Sequence, residues 1–517
     1  MRVLIRCDGG GTTGVGHVIR SVALAEEALA RGHDVLLAGH FEGDFVRRQV
    51  ELSGARVLHL DAPLPGDAVA DPSPLLSDHP ADVLHCDIYD LVPGTALRAG
   101  LPAHTVLSNM EDSEFGRRPA DVVVDPTWGS EAVPRPADGS RWLLRGADYA
   151  AMRRQVRTLR RDGAGRTGEP PLVLVVMGGT DPVGLAPRVL EALGQTGLDL
   201  RVTVIATGDN AERVRAVAAE APRLDVLVSP PVDDIAELMS RQDLVVSAAG
   251  TSVWEMCCLG VPMALVCAVA NQGEGYARVV AAGAAEGLGD AAAVSDPAAT
   301  AAAVGKLLRD EGRRQELARN AATIVDGLGA WRIVETWEQA LTAGPPTGPP
   351  PADWSARVAT LEDADRLWRW RNDAGTRAAS RSREEVPWPD HLAWLRSSLG
   401  RADRELLVVA DGRGNVGTVR WDESIPGEWE VSITVAPERR GQSLARHLLT
   451  TAEEHLRRHR DVTAYLAVVH RDNHPSRRLF AGAGYVPDLP PDGEGFMRFK
   501  KSARLPSSLP STPQEYV

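Results

Sequence analysis

Short apolar runs alternate with amphipathic stretches along the first two thirds of the chain. "RVLIRC" is such a run; a glycine-rich turn follows it, and Val18, Val22, Ala25 and Leu29 then fall on one helical face. Gly32 stands where a helix C-cap is expected. "DVLLAGH" and "ADVLHCDIYDL" read as the next strands. The plan then repeats: "PLVLVVMGGTD", a helix through "PRVLEALGQ", "RVTVIATGD", a helix through "AERVRAVAAE", then "LDVLVS" and "QDLVVSAAGTS". Short, wholly apolar strands separated by helices imply parallel sheets covered on both faces. Two such half-domains in tandem form a cleft between their strand carboxyl ends. The last third differs. "ELLVVADGRGNVGTVRW" and "GEWEVSITVAP" follow one another across a turn and read as antiparallel, and helices through "SLARHLLTTAEEHLRRH" and "HPSRRLFAGAG" flank the strand "TAYLAVV". This is an α+β plan.

The punctuation of the chain sets the boundaries. "AGPPTGPPP" has a proline density that favours a stiff, extended spacer. "RRDGAGRTGEPP" is a softer break that divides the longer part into similar halves. The expected organisation is an N-terminal Rossmann-like half over 1–162 and a second over 163–342. A proline-rich linker over 343–356, an α+β domain over 357–500 and a disordered tail over 501–517 follow. A length of 517 residues fits this division, being too great for one core.

Bulk composition removes several function classes. The net charge of −13 disfavours a general nucleic-acid or membrane-surface role. No apolar run is long enough to span a bilayer, and "MRVLIRCDGG" does not read as a signal peptide. The five cysteines form no CxxC and are odd in number, so they read as the reduced thiols of a cytoplasmic protein. No metal site is expected.

Three stretches carry candidate chemistry. In "RCDGGGTTGVGHVIR", glycines including Gly14 and Gly16 let a ligand approach the backbone, and the helix that follows offers unpaired N–H groups to a phosphate. His17 lies at that helix start, where the dipole disfavours imidazolium and favours a neutral base. A plain glycine turn that opens a helix is the alternative. The second stretch is "SAAGTSVWEMCCLGVPMALVCAVANQ". Its strand ends at Ser247, and Gly250, Thr251 and Ser252 lead into a helix whose N–H groups suit a diphosphate. Glu255, one turn on, could reach ribose hydroxyls, and Asn271 and Gln272 lie at the same sheet edge. The third stretch, "ITVAPERRGQSLARHLL", is a strand, a basic turn and a helix start, again suited to a diphosphate.

The first two stretches, with "HCDIYDL" and "MGGTDP", resemble the UDP-sugar hydrolases of pseudaminic acid biosynthesis, which belong with the spore-coat polysaccharide proteins and are related to the GT-B glycosyltransferases. The resemblance covers roughly residues 1–340 and implies two Rossmann-like halves in a GT-B arrangement. It implies that UDP is held by the second half, with Gly14, Gly16 and Gly179 beside it, and that water displaces UDP from the sugar with inversion. By the same resemblance His17 is the catalytic histidine, while Asp8, Asp87 and Tyr89 face the sugar. Glu255 is the ribose-binding glutamate, and Asn271 with Gln272 the phosphate-edge pair. "SNMEDSEFG" occupies the region where the family shows an acidic pair. UDP is a good leaving group, so donors aimed at the diphosphate and a base that orients water suffice.

The third stretch, with "VVHRDNHPSRRLFAGAGYVP", resembles the GNAT acyltransferases over about residues 357–500, which implies acetyl-CoA as co-substrate. The coenzyme pattern matches at Arg440 and Ala445, with Ser443 where glycine is usual. Val435, Gly441, Gln442 and Leu444 complete the implied coenzyme loop, joined by Asn473 and Ser476. Gly484 and Tyr485 match the later pattern. Phe480 stands where the family places a tyrosine acid. Glu430 could relay the amine proton, with Glu428 two residues away on the same strand face.

The fusion implies two consecutive steps on one chain: acetylation of a UDP-aminosugar, then hydrolysis of the product to UDP and free sugar. Two other readings stay open. One is a GT-B glycosyltransferase with an acyltransferase, using an acceptor in place of water, as in natural-product tailoring. The other is a non-catalytic nucleotide-sugar-binding protein.

Overall fold

In the computed structural model, the residues described are 1–10, 15–61, 73–88, 94–113, 115–160, 169–178, 181, 183–343, 348–378, 380 and 382–503. They form two compact units, Met1–Glu131 with Asp138–Val334, and Ala132–Ala137 with Glu335–Val517.

The first unit holds two parallel sheets. One comprises β1 (Arg2–Cys7), β2 (Asp34–Gly39), β3 (Arg56–His59), β4 (Val83–Asp87), β5 (Val106–Met110), β6 (Val122–Asp125) and β7 (Trp142–Arg145), in the order β3-β2-β1-β4-β5-β6-β7. The other comprises β8 (Leu172–Val176), β9 (Leu200–Ile205), β10 (Leu224–Ser229), β11 (Leu244–Ala248), β12 (Met263–Cys267) and β13 (Glu286–Asp290), in the order β10-β9-β8-β11-β12-β13. Both orders reverse direction once, between β1 and β4 and between β8 and β11. At such a switch point neighbouring strands send their following loops to opposite sides, which opens a crevice at the carboxyl edge. The central strands are buried on both faces, as their unbroken apolar runs demand: β4, β5, β6 and β11 have no exposed residue. In the second half, Val173, Val175, Val202 and Val246 pack on one side of the sheet, and Leu174, Val176, Val245 and Leu265 on the other.

The second unit contains one mixed sheet of β14 (Ser355–Val358), β15 (Arg404–Asp411), β16 (Gly414–Ile425), β17 (Glu428–Val435), β18 (Ala464–His470), β19 (Val486–Leu489) and β20 (Phe496–Ser502), in the order β14-β15-β16-β17-β18-β20-β19. All neighbours are antiparallel except β17 and β18. Residues alternate along β17, with Trp429 and Val431 buried while Glu430 and Ser432 are exposed. The parallel pairing covers only Glu428–Val431 against Ala464–Ala467. From Ser432 onward the two strands part. Two Rossmann-like halves followed by an α+β domain is therefore the architecture observed.

Candidate functional site

The switch points of the two parallel sheets open into one cavity of about 640 Å³. From the first half come Gly10, Gly16, His17, Arg20 and Asp112; from the second come Gly178, Gly250, Thr251, Ser252, Glu255 and Gln272. The helix Gly16–Ala30 starts at this cavity, and His17 is its second residue. Its imidazole Nδ1 lies 2.7 Å from Asp87 Oδ1, at the end of β4. Arg20, one turn further along the helix, donates from Nε and Nη2 to the two oxygens of Asp87, both at 2.6 Å. Its Nη1 grips Asp112 at 2.8 and 2.9 Å. Asp87 is fully buried; burial alone would raise its carboxyl, but Arg20 and then His17 outweigh burial and hold it well below the usual carboxylate range. Arg20 Nη2 also lies 3.1 Å from His17 Nδ1; in the tautomer whose Nδ1 hydrogen goes to the ionised Asp87, Nε2 is the basic atom. The ring is thus oriented by a carboxylate, a stronger determinant than the helix dipole read from the sequence.

The other wall is the start of the helix Ser252–Leu259, capped by Thr251 with no side-chain capping bond. The first backbone N–H groups of a helix have no intrahelical partner, so they are available to an anion. A Cβ on Gly16 would lie 2.7 Å from Thr251 Oγ1. A larger residue here would push the Thr251 side chain aside. Gln272 Oε1 accepts the Ala268 N–H at 3.0 Å, which fixes the amide at the rim of the Gly250 turn.

Several expected site residues are placed elsewhere. Asp8 is buried in β1's exit, both carboxylate oxygens held by Arg6 at 2.6 and 3.1 Å, and it accepts the His40 N–H at 2.7 Å. It neutralises a buried arginine and does not line the cavity. Ser247 is buried and donates to the Ala248 carbonyl at 3.0 Å, so it belongs to the sheet. Glu255 does line the cavity, but its Oε1 accepts from Arg153 Nη2 at 2.8 Å, whose Nη1 donates to Gln49 at 2.7 Å. Tyr89, Gly14 and Gly179 lie outside the described residues, as does the side chain of Asn271. Arg20, Asp112 and Arg153 received no role from sequence. The spacing of Arg20, three residues after His17, was the available signal, since that spacing puts both on one helix face.

In the second unit, Val435 ends β17, and Gly441 and Ser443 have φ of +75° and +58°. The helix Ala445–His459 starts immediately after. Left-handed residues in such a turn are of the kind that forms anion-binding concavities. Gln442 and Leu444 lie within this turn. Arg440 is not turned into it: Nη1 pairs with Asp373 at 2.5 Å and Nη2 donates to Thr376 at 2.6 Å. The Thr376 N–H and then Arg440 hold the Asp373 carboxyl below its usual range. Asn473 caps the helix His474–Gly482, its Oδ1 accepting the Ser476 N–H at 3.2 Å. The Asn-x-x-Ser pattern is in this respect a helix start. Glu430 is exposed on β17 and Glu428 is paired with Lys500 at 2.8 Å. Tyr485 is fully buried, donates to Glu453 at 2.8 Å, and packs edge to face on Phe480. Burial and Glu453 push its hydroxyl well above the ordinary value, so it stays a phenol.

Thiol chemistry is disfavoured. Burial pushes Cys7 and Cys86 up to about 12 and Cys258 to about 11. Among the described residues no cluster of three or more His, Cys, Asp or Glu could hold a metal ion, and no helix is long and apolar enough to cross a membrane.

Comparison with known proteins assigns the two units to two classes of module. Residues 173–328 match the glycosyltransferase family 28 C-terminal domain, and residues 364–485 match the acetyltransferase (GNAT) family. The chain joins a glycosyltransferase-like module to an acetyltransferase-like one. An uncharacterized protein of Methanocaldococcus jannaschii is 22% identical over 279 residues, 52% of this chain and 55% of that protein, so the chain spans about half its length. The spore coat polysaccharide biosynthesis protein SpsG of Bacillus subtilis is 23% identical over 345 residues, 64% of this chain and 96% of that protein. Among solved structures, MurG of Acinetobacter baumannii is 19% identical with a TM-score of 0.48, covering 65% of this chain and 99% of that one. Spermidine N-acetyltransferase of Vibrio cholerae, in complex with CoA and spermine, is 16% identical with a TM-score of 0.28, covering 29% and 96%.

Proposed function

We propose that this chain is a bifunctional nucleotide-sugar enzyme. The first unit hydrolyses a UDP-linked acetamido-deoxysugar to UDP and free sugar. The second acetylates the amine of the UDP-aminosugar precursor with acetyl-CoA. The steps belong to the making of a nonulosonic acid, pseudaminic in type, or a related polysaccharide, a setting in keeping with the spore coat polysaccharide biosynthesis named for the Bacillus relative.

The observation that carries the reading is the pairing of His17 with Asp87 in a cavity whose opposite wall is the helix start at Thr251. Asp87 fixes the imidazole so that Nε2 takes a proton from water. The water oxygen attacks the anomeric carbon, the carbon–oxygen bond to UDP breaks, and UDP leaves as the anion. The N–H groups at Thr251 and Ser252, ahead of the Val253 N–H that already bonds the Gly250 carbonyl at 3.0 Å, would receive the diphosphate, while Gln272 would flank it. Glu255 would exchange Arg153 for the ribose hydroxyls. A positioned base contributes about 10²–10⁴-fold, and donors aimed at the leaving charge contribute about 3–4 kcal/mol each in comparable sites.

The match to a glycosyltransferase domain favours a second reading, in which the same cleft transfers the sugar to an acceptor hydroxyl. UDP release from the acetylated donor alone separates the two. Release at a rate that no added acceptor raises supports hydrolysis; release that requires an acceptor supports transfer.

A further inference from the structure

A second cavity, of about 390 Å³, lies within the acetyltransferase-like unit. Its walls are the helices Ala364–Asn372 and Trp388–Leu399, and its floor includes Ser432 and Thr434 of β17. His391 lines it and is only 3% exposed. The imidazole Nε2 lies 2.9 Å from the Ala364 carbonyl oxygen. A carbonyl can only accept, so Nε2 carries the hydrogen and Nδ1 is left as the acceptor. Trp388 and Trp394 flank the ring, with centroids at 6.0 and 5.7 Å. Burial pushes this imidazole below its ordinary value, against a smaller opposite pull from the Ala364 bond, which keeps it neutral near pH 7.

The floor places this histidine beside the acyl donor's path. Ser432 is the residue at which β17 and β18 part, so the backbone groups that an extended donor arm would pair with begin at the cavity floor.

The charges around the cavity limit what enters it. The ionisable groups lining it with His391 are Asp390 on the same helix, Arg371 on the facing helix and Arg420 on β16. β15 contributes Leu406 and β17 only hydroxyls, none of which titrates. Arg371 Nη2 donates to the Ser382 carbonyl at 2.9 Å, while its Nη1 is a buried donor with no hydrogen-bond partner among the described residues. Arg420 Nε is paired with Asp422 at 2.8 Å, so the Arg371 guanidinium is the group offered to an anion, and it disfavours a polycation.

We propose that His391 is the general base of the acetyl transfer, and that its cavity takes a primary amine carried on an anionic molecule. This rests on the acetyl-transfer half of the function proposed above. The ammonium group of the acceptor gives one proton to His391 Nδ1. The freed nitrogen lone pair attacks the thioester carbon, forming the C–N bond. The tetrahedral adduct collapses, the C–S bond breaks, and the nitrogen's extra proton leaves with the thiolate as CoA-SH. His391 returns its proton to solvent.

The test is CoA release by the full chain with acetyl-CoA and either a UDP-4-amino-4,6-dideoxyhexose or spermidine, from pH 5 to 8. Wild type is expected to prefer the anionic amine, with kcat/KM rising with pH as His391 loses its proton. H391Q is expected to lose about 10²–10³-fold at pH 7 while binding acetyl-CoA as wild type does. R371Q is expected to raise KM for the anionic amine at least tenfold with kcat unchanged. A wild-type kcat/KM that is flat over this range overturns the base assignment whatever the variants do. So does an H391Q rate within threefold of wild type on the aminosugar, which leaves the acetylation reading standing. A preference for spermidine overturns the anionic acceptor and that reading together, and an absence of turnover with either amine overturns both.

Discussion

The imidazole of His17 and the carboxylate of Asp87, from a helix start and a strand end some 70 residues apart, meet at 2.7 Å. Asp87→Asn keeps the shape and removes the charge that fixes the Nδ1 hydrogen. UDP release from the acetylated UDP-sugar is expected to fall at least 100-fold in kcat, with UDP binding unchanged within threefold by calorimetry. Unchanged turnover would remove Asp87 from the reaction.

The same pair sets an acid limit on stability. The Asp87 carboxyl is depressed in the folded state, so it stabilises the fold fully above its unfolded value, about 3.9. That contribution is lost as the pH falls below this value toward the folded one. Thermal unfolding of wild type is expected to fall more steeply between about pH 4 and 2 than that of D87N. Parallel curves would contradict it.

Gly16 and Thr251 test the closeness of the two halves. A Cβ on Gly16 meets Thr251 Oγ1 at 2.7 Å, so Gly16→Ala is expected to weaken UDP binding at least tenfold. Thr251→Ala on that background should recover part of the loss, giving a coupling of about 1 kcal/mol. Additive effects would show that the two positions do not touch when UDP binds.

Ser443 holds a φ of +58°, which favours glycine. Ser443→Gly is expected to bind acetyl-CoA as wild type does and to change stability by less than about 1 kcal/mol, because relieved strain is offset by a freer unfolded chain. Ser443→Val is expected to lose 1–3 kcal/mol, on the order of a strained β-branched residue, and to weaken acetyl-CoA binding. Calorimetry and thermal melts measure both.

Tyr485→Phe removes the hydroxyl that donates to Glu453, leaving that carboxylate with Lys501 at 2.6 Å. Stability should drop by about 1–2 kcal/mol, with acetyl transfer unchanged within twofold. A tenfold loss of kcat would instead make this tyrosine the acid absent at Phe480.

Much of the fold was legible because its parallel strands announce themselves. "RVLIRC", "PLVLVV" and "DLVVSA" are apolar on both faces, and only a covered sheet accepts that. The short strands β3 and β7 were not, because Arg56–His59 and Trp142–Arg145 mix polar and apolar residues at a sheet edge. Motif glycines and His17 marked the cavity, yet the motif could not tell a carboxylate that faces it from one that faces inward. Asp8 follows β1 and Asp87 ends β4; Arg6 turns the first away, and Arg20 holds the second against His17. The amine pocket left no motif at all. His391, Arg371 and Arg420 come from two helices and a strand, and only packing brings them together.

The most direct measurement follows the fate of one substrate by mass spectrometry. The full chain is incubated with a UDP-4-amino-4,6-dideoxyhexose and acetyl-CoA, as wild type and as His17→Ala. The wild type is expected to pass through the acetylated UDP-sugar to free acetamido sugar and UDP, and the variant to stop at the acetylated UDP-sugar. Free sugar and UDP released by the variant at the wild-type rate would contradict the assignment of His17 and of the cleft it serves.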